Sequence, residues 1–299
     1  MTSNEKKIGH TNKGKLIICP TPLGNLGDIT KRTLEAFSQC DVVCCEDTRV
    51  TDKLLSALGI KKSLERLDEA TLSSKAEYIA QRVLSGEIIA YASDAGMPGV
   101  SDPGQRLVDA ALEVGAVVEV LPGPTALTTA YVASGFSARS FYFGAFFPRK
   151  EGERKRLLSQ LKPLDAVLIF YESPLRLVSA LGALKELVPY RRVAVCRELT
   201  KIHEEIVRGT IDEVLRVFVD REKQEGIKGE IVLVIEAPNE QELIADKTSA
   251  LLSAEERVSD LLNSGQYSKK DIVRILKDEF GLTRNDAYEL VHHKGQIPR

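Results

Sequence analysis

The sequence predicts an α/β protein of two lobes, a parallel-sheet N-terminal domain followed by an α+β domain, with a C-terminal three-helix module. Three observations carry this. Short apolar runs alternate with helical periodicity through residue 126, the pattern of βαβ units around a parallel sheet. After Gly135 strand-like runs outnumber helices. Beyond Ala237-Pro238-Asn239, which reads as a linker, strand signals stop and only helical patterns remain. A chain of 299 residues is long enough for two or three domains. The expected divisions are a loose polar tail over 1–14 and domains over 15–126, 127–238 and 246–299.

Residues 15–19 are apolar and are stopped by Pro20, which marks a buried strand. A helix over 30–39 sets Leu34 and Phe37 on one side, and 41–45 is the second strand. Residues 51–59 are helical and close on Gly59, a C-cap. A helix over 74–84, a strand over 87–92, a helix over 105–114 ended by Gly115, and a strand over 117–121 follow. In the second lobe, 140–146 alternates and is rich in aromatics, and 166–171, 192–196, 204–208 and 230–235 are strand-like. Helices fall over 153–161, 175–187 and 211–220. Ser253-Ala254-Glu255-Glu256 resembles a capping box before a helix holding Val258, Leu261 and Leu262, which ends at Gly265. Ser268 caps 269–280 and Thr283 caps 284–294. Three short helices with tight turns resemble a helix-turn-helix module; a plain helical appendage fits equally, since the segment mixes acids and bases without a basic face.

The formal net charge is −2, so any nucleic-acid contact must come from local basic patches. No apolar run reaches the roughly 20 residues of a membrane helix. The polar N-terminus has no apolar signal-peptide core, and the expectation is a cytoplasmic protein. Cys19, Cys40, Cys44, Cys45 and Cys196 are odd in number, form no CxxC pair and sit largely in apolar runs, the pattern of reduced, buried thiols. His10, His203, His292 and His293 lack zinc-site spacing, so no metal is expected.

In parallel sheets, ligands bind beyond the carboxyl ends of the strands. The loop over 19–28 after the first strand carries Pro20, Pro22, Gly24 and Gly27, and is not GxGxxG. Gly9 to Lys15 has P-loop spacing, but Leu16 stands where Ser or Thr is needed and the segment precedes the strand. Glu46-Asp47-Thr48-Arg49 at the second strand's end suits either a substrate hydroxyl or a helix N-cap with an ion pair. The loop over 93–104 holds three glycines and two prolines, longer than most such connections. Gly123-Pro124-Thr125-Ala126 repeats the theme after the next strand.

Taken in order, Pro-Thr-Pro-Leu-Gly-Asn-Leu-Gly-Asp-Ile-Thr at 20–30, Cys-Glu-Asp-Thr-Arg at 45–49, Ser-Asp-Ala-Gly-Met-Pro-Gly-Val-Ser-Asp-Pro-Gly at 93–104 and Leu-Pro-Gly-Pro-Thr-Ala at 121–126 resemble the tetrapyrrole methylases. More narrowly they resemble the family's branch that 2′-O-methylates a cytidine in the decoding region of small-subunit ribosomal RNA. The likeness continues through Phe-Phe-Pro-Arg-Lys at 146–150, Tyr-Glu-Ser-Pro-Leu-Arg-Leu at 171–177 and Arg-Glu-Leu-Thr-Lys-Ile-His-Glu-Glu at 197–205. Ser93-Asp94-Ala95 stands where many family members have Gly-Asp-Pro, which favours the RNA branch. Met97-Pro98 replaces that branch's usual Thr-Pro and puts a side-chain contact at 97 in doubt.

The resemblance implies S-adenosylmethionine held between two α/β lobes, a homodimer, and ribosomal RNA or the 30S subunit as partner. It implies cofactor contacts from Pro20, Gly24, Asp94, Ala95, Gly96, Met97, Ser101, Thr125, Ala126, Tyr171, Leu199 and Ile231. The candidates for removing a hydroxyl proton are Glu46, Asp47, Glu172, Lys201 and Glu230; a lysine would need a depressed pKa. Arg149, Lys150, Arg154, Lys155 and Arg156 follow an aromatic strand and suit phosphate contact with base stacking, or else form a solvated helix face. Arg176 and Arg197 are further candidates for RNA, with Arg139 beside them. A porphyrinoid methyltransferase and a non-catalytic RNA-binding protein are the rival readings.

Overall fold

The computed structural model describes residues 14–294. The tail expected over 1–14, including His10, lies outside the described residues except for Gly14, which is buried against the main chain of Val83 and Glu87.

The first lobe is a wholly parallel sheet of β1 (Lys15–Ile18), β2 (Val42–Cys45), β3 (Ser63–Arg66), β4 (Ile88–Ala92) and β5 (Val117–Val120), in the order β3-β2-β4-β1-β5. The central strands are covered on both faces, which is why they read as unbroken apolar runs. Leu16, Ile18, Ile89 and Tyr91 pack under α3 (Glu69–Leu84) and α4 (Gly104–Glu113). Ile17, Cys19, Val43 and Ala90 pack under α1 (Lys31–Gln39) and α2 (Thr48–Ala57), through Phe37 and Leu55. β3 had no counterpart among the expected strands. It is a partly exposed strand at the sheet edge with the polar sequence Ser-Leu-Glu-Arg.

The second lobe joins β6 (Ser140–Phe146), β7 (Ala166–Glu172), β8 (Arg192–Arg197), β9 (Glu205–Thr210) and β10 (Ile231–Ile235) in the order β6-β7-β10-β8-β9. The β6–β7 pair is parallel and the others antiparallel. One face is covered by α6 (Glu151–Leu161), α7 (Leu177–Leu187) and α8 (Ile211–Gln224), with Phe170, Leu181, Leu184 and Phe218 at its centre. The other face carries α5 (Ala126–Ser134), whose Ala130 sits among Val167, Ile169, Cys196 and Val232. Periodicity gave no sign of α5, because its apolar residues fall all round the helix and form no single stripe. All five cysteines are buried free thiols.

The helical module is α9 (Glu240–Ser264), α10 (Lys269–Phe280) and α11 (Arg284–Lys294) around Ala254, Val258, Leu261, Ile272, Leu276, Ala287 and Val291. Ser253 does not open a helix. α9 starts at Glu240, and Asn239 caps it by accepting the Glu242 N–H at 2.9 Å. The expected linker therefore runs straight into a helix, and that helix is anchored. Arg191 and Glu242 are both buried, with Nε to Oε2 at 2.7 Å and Nη2 to Oε1 at 3.0 Å. Arg191 Nη2 also donates to the Lys162 carbonyl at 2.6 Å, and Lys162 Nζ reaches Asp246 at 2.5 Å.

Breaking such a pair strands a buried charge, which costs about 3–5 kcal/mol, whereas replacing both partners by apolar groups is often neutral. Glu242→Ala is expected to lower unfolding free energy in urea by that amount, and Arg191→Met with Glu242→Leu to recover most of it. Additive losses in the double variant would contradict a coupled anchor.

Candidate functional site

The site forms where the loops after β1 and β4 are pinned together. Thr21 N–H donates to the Gly96 carbonyl at 2.9 Å and Gly96 N–H to the Thr21 carbonyl at 3.1 Å. Thr21 Oγ1 donates to the Ser93 carbonyl at 3.1 Å. Gly96 has φ +84°, and a Cβ there would stand 3.1 Å from Leu23 Cδ2. Farther along the 93–104 loop, Asp102 accepts the N–H groups of Gly99 and Gly104, each at 2.8 Å. The turn is thus closed by a carboxylate, not only by its glycines and prolines.

Above these loops lies a cavity of about 410 Å³. The first lobe contributes Leu23, Glu46, Ser93, Asp94, Ala95, Ser101 and Asp102. The second contributes Phe146, Tyr171, Glu172, Leu199, Glu230, Ile231 and Val232. Of the expected cofactor residues, Asp94, Ala95, Ser101, Ala126, Tyr171, Leu199 and Ile231 line this cavity, and Gly96, Met97 and Thr125 line a small recess beside it. Pro20 and Gly24 line neither. Pro20 packs on Gly123, and Gly24 lies under the aliphatic chain of Lys201, where a Cβ would come within 2.2 Å of Cγ. Among the described residues, the non-glycine positions with left-handed φ are Ser101, Ala145, Glu198 and Thr200. Each lines the cavity or adjoins a residue that does. Backbone strain concentrated in this way is characteristic of functional sites.

The five carboxylate and lysine candidates separate by environment. Burial, with the charges of Asp102 and Asp94, pushes the Glu46 carboxyl up to about 7. Its Oε1 accepts the Asp94 N–H at 3.3 Å. Burial likewise raises Asp94. Glu172 is buried at the end of β7 and also raised by burial, against the nearby charges of Arg176, Arg154 and Arg149. Glu230 is exposed at the cavity edge. Asp47 is corrected: it is the N-cap of α2, and Arg49 binds both its oxygens, at 3.0 and 2.6 Å, and holds it far below the usual carboxylate range. Lys201 is corrected too. Burial opposes its charge, but hydrogen bonds to Glu198 at 3.0 Å and Glu230 at 3.1 Å more than offset that, and its pKa lies above the ordinary value. An ammonium held by two carboxylates is no base.

The basic cluster divides as well. Arg149, Lys150 and Arg156 are exposed, Lys150 with a surface ion pair to Glu153 at 3.4 Å. Arg154 is buried: Nε donates to the Pro148 carbonyl at 2.7 Å and Nη1 to Ser179 at 2.8 Å, so it frames the second lobe and is lost to an RNA surface. Lys155 is engaged by Glu151 and Glu186. Arg176 is held by Glu172 at 2.5 Å and Arg197 by Glu205 at 3.0 Å. Sequence reasoning missed Tyr91, whose hydroxyl is buried near Glu46 and Asp102 without a hydrogen-bond partner among the described residues. Inside the apolar run of β4 nothing but its polar tip marked it.

A family model of the tetrapyrrole (corrin/porphyrin) methylases matches residues 15–215. The chain is similar to "Ribosomal RNA small subunit methyltransferase I" of Halalkalibacterium halodurans, 37% identical over 95% of this chain and 96% of that protein. It is equally similar to the protein of the same name from Bacillus subtilis, 37% identical over 96% and 97%. The Thermotoga maritima protein of that name is 42% identical over 74% of this chain and 98% of its own length. Among solved structures, a diphthine synthase superposes with TM-score 0.59 at 15% identity, over 74% of this chain and 90% of that one. A uroporphyrin-III-C-methyltransferase from Thermus thermophilus gives 0.54 at 20%, over 75% and 94%. These two share the fold.

The raised Glu46 carboxyl has a signed consequence for stability. The unfolded chain releases this proton near the ordinary 4.5 and the folded chain near 7, so between them the fold binds more protons. Wild-type stability is therefore expected to fall, relative to Glu46→Gln, as pH rises from about 4.5 to about 7, and to level off above. Urea midpoints of both proteins across that window check this; a pH-independent gap would mean an ordinary carboxyl.

Proposed function

The chain belongs to the tetrapyrrole methylases, and we propose that it transfers a methyl group from S-adenosylmethionine to the ribose 2′-oxygen of a cytidine in the decoding region of small-subunit ribosomal RNA. Relatives named as ribosomal RNA small subunit methyltransferase I, matched along nearly their whole length, support the RNA substrate over a porphyrinoid one. Family membership and those relatives together make S-adenosylmethionine the donor. The reading includes a cytoplasmic homodimer, as the family likeness implies.

The residues present fit that donor. Tyr171, Leu199, Ile231 and Val232 offer a largely apolar wall for an adenine. The main chain of 93–97 and the buried, unpartnered Thr125 Oγ1 suit its ribose and amino acid parts. The cavity lies within the roughly 300–1,000 Å³ of small-molecule sites. When bound, the donor supplies a methyl carbon already activated by a sulfonium, so the protein's tasks are positioning and proton removal. Asp94, Asp102, Glu46 and Glu230 give the cavity a negative field that suits a cationic group.

The observation that carries the mechanism is Glu46, a cavity-lining carboxyl with pKa about 7. A base of that strength is half ionised at neutral pH and still able to take a proton from a hydroxyl, a contribution of typically 10²–10⁴ in rate. Arg149, Lys150 and Arg156 supply the exposed cations for phosphates.

Purified protein with tritium-methyl donor is expected to label 30S subunits, with kcat/KM rising with pH to a plateau above about 7. Glu46→Gln should lose 10²–10⁴-fold and flatten that limb. Absence of label in 30S would overturn the RNA assignment, and an unchanged limb would overturn the role of Glu46. Replacing Arg149, Lys150 and Arg156 together by Ala should weaken RNA binding and reduce the slope of log affinity against log salt by about 2; an unaltered slope would place the RNA elsewhere.

A further inference from the structure

The proton-transfer scheme leaves Glu172 unused, although its side chain is completely enclosed and lines the cavity. Its Oε1 is fully engaged, accepting Arg176 Nη2 at 2.5 Å and the Ser173 N–H at 2.7 Å. Its Oε2 is buried and has no hydrogen-bond partner among the described residues. A carboxylate oxygen so placed is uncommon, because burial without a partner forfeits the hydrogen bonds of water. The fold holds this acceptor ready for something that enters the cavity.

Beside it, β6 does something a regular strand does not. Its register with β7 shifts between Phe143 and Phe146, and Ala145 adopts φ +52°. A bulge of this kind re-aims a side chain. Phe146 is thereby brought to the cavity wall, edge-on to Tyr171 with centroids 5.6 Å apart and planes at 72°. It nevertheless stays 57% exposed, so a ring face is open for stacking. Exposed Arg149 and Lys150 follow at once in the chain. An open aromatic face, an unpartnered acceptor and flanking cations are the three elements with which proteins read an unstacked base.

The chemistry of the acceptor chooses the base. A carboxylate oxygen accepts the exocyclic amine of cytosine, whereas uracil presents a carbonyl oxygen at the same position and is repelled. We propose that Phe146 and Glu172 form a nucleobase subsite, with Phe146 stacked on the target base and Glu172 Oε2 accepting its N4–H, so that Glu172 determines specificity for cytidine over uridine. This rests on the RNA reading above. It places Glu172 as a reader of the base, and Glu46 as the group that serves the ribose.

The test uses 30S subunits carrying either cytidine or uridine at the methylated position, with methyl transfer and equilibrium binding both measured. Wild type is expected to favour the cytidine subunit by about 10-fold or more in kcat/KM. Glu172→Gln should bring the two within about 3-fold, chiefly by losing rate on cytidine. Phe146→Leu, at a position 57% exposed, should raise KM for the cytidine subunit while circular dichroism stays that of the wild type. Equal losses on both subunits in Glu172→Gln, or an undiminished preference, would overturn the proposal and leave Glu172 as a strut for Arg176. A wild type that methylates neither subunit sinks the RNA reading instead. The subsite is then judged by binding alone: a cytidine preference erased in Glu172→Gln supports it, and no preference in the wild type overturns it.

Discussion

The site depends on one short piece of main-chain pairing, the reciprocal hydrogen bonds between Thr21 and Gly96. A parallel sheet delivers several loops to one edge but does nothing to fix them relative to each other. Here the loops after two neighbouring central strands are joined as an antiparallel bridge, which needs a residue able to hold φ +84° with Leu23 close by. With that bridge in place, Ser93, Asp94 and Ala95 are held at the cavity floor, and Asp102 closes the far end of the same loop. The second lobe then supplies a lid of apolar and aromatic residues from β7, β10 and the turn after β8.

Charge is divided between the floor and the rim. The cavity holds Glu46, Asp94, Asp102, Glu172 and Glu230, while the exposed cations Arg149, Lys150 and Arg156 stand outside it. Such a division suits a cationic donor inside and a polyanion outside, and it does so with a chain of net charge −2. Burial, aided by the neighbouring charges of Asp102 and Asp94, lifts the Glu46 carboxyl to about 7, the range in which a carboxyl exchanges protons near neutral pH. The carboxylates around it are not alike. Asp47 is held low by Arg49, whereas Glu172 is raised by burial in spite of its bond to Arg176.

The strands and loops of the first lobe were legible because burial on both faces leaves long apolar runs punctuated by glycine and proline. β3 was not, being a polar edge strand, and α5 was not, since its apolar residues follow no helical stripe. α9 starts well before Ser253, and its anchor, Glu242 against Arg191, is not marked in the sequence because it joins residues far apart. Family likeness picked out loops that the fold does bring to the cavity, although Pro20 and Gly24 line neither it nor the recess beside it. The roles of charged residues could not. Asp47, Arg154 and Lys201 looked equal to Glu46 and Arg149 in sequence, and only three-dimensional partners tell a capping carboxylate, a buried strut and a paired ammonium from a cavity-lining carboxyl of raised pKa and an exposed cation.

The paired loops shape the cavity between the lobes, and with it the proposed donor site. Calorimetric titration with S-adenosylmethionine, comparing wild type with Gly96→Val, tests it most directly. A single site per chain in the wild type, and at least a 10-fold weaker one in a variant that remains folded by circular dichroism, is the predicted result. Equal affinity in the two folded proteins would contradict it.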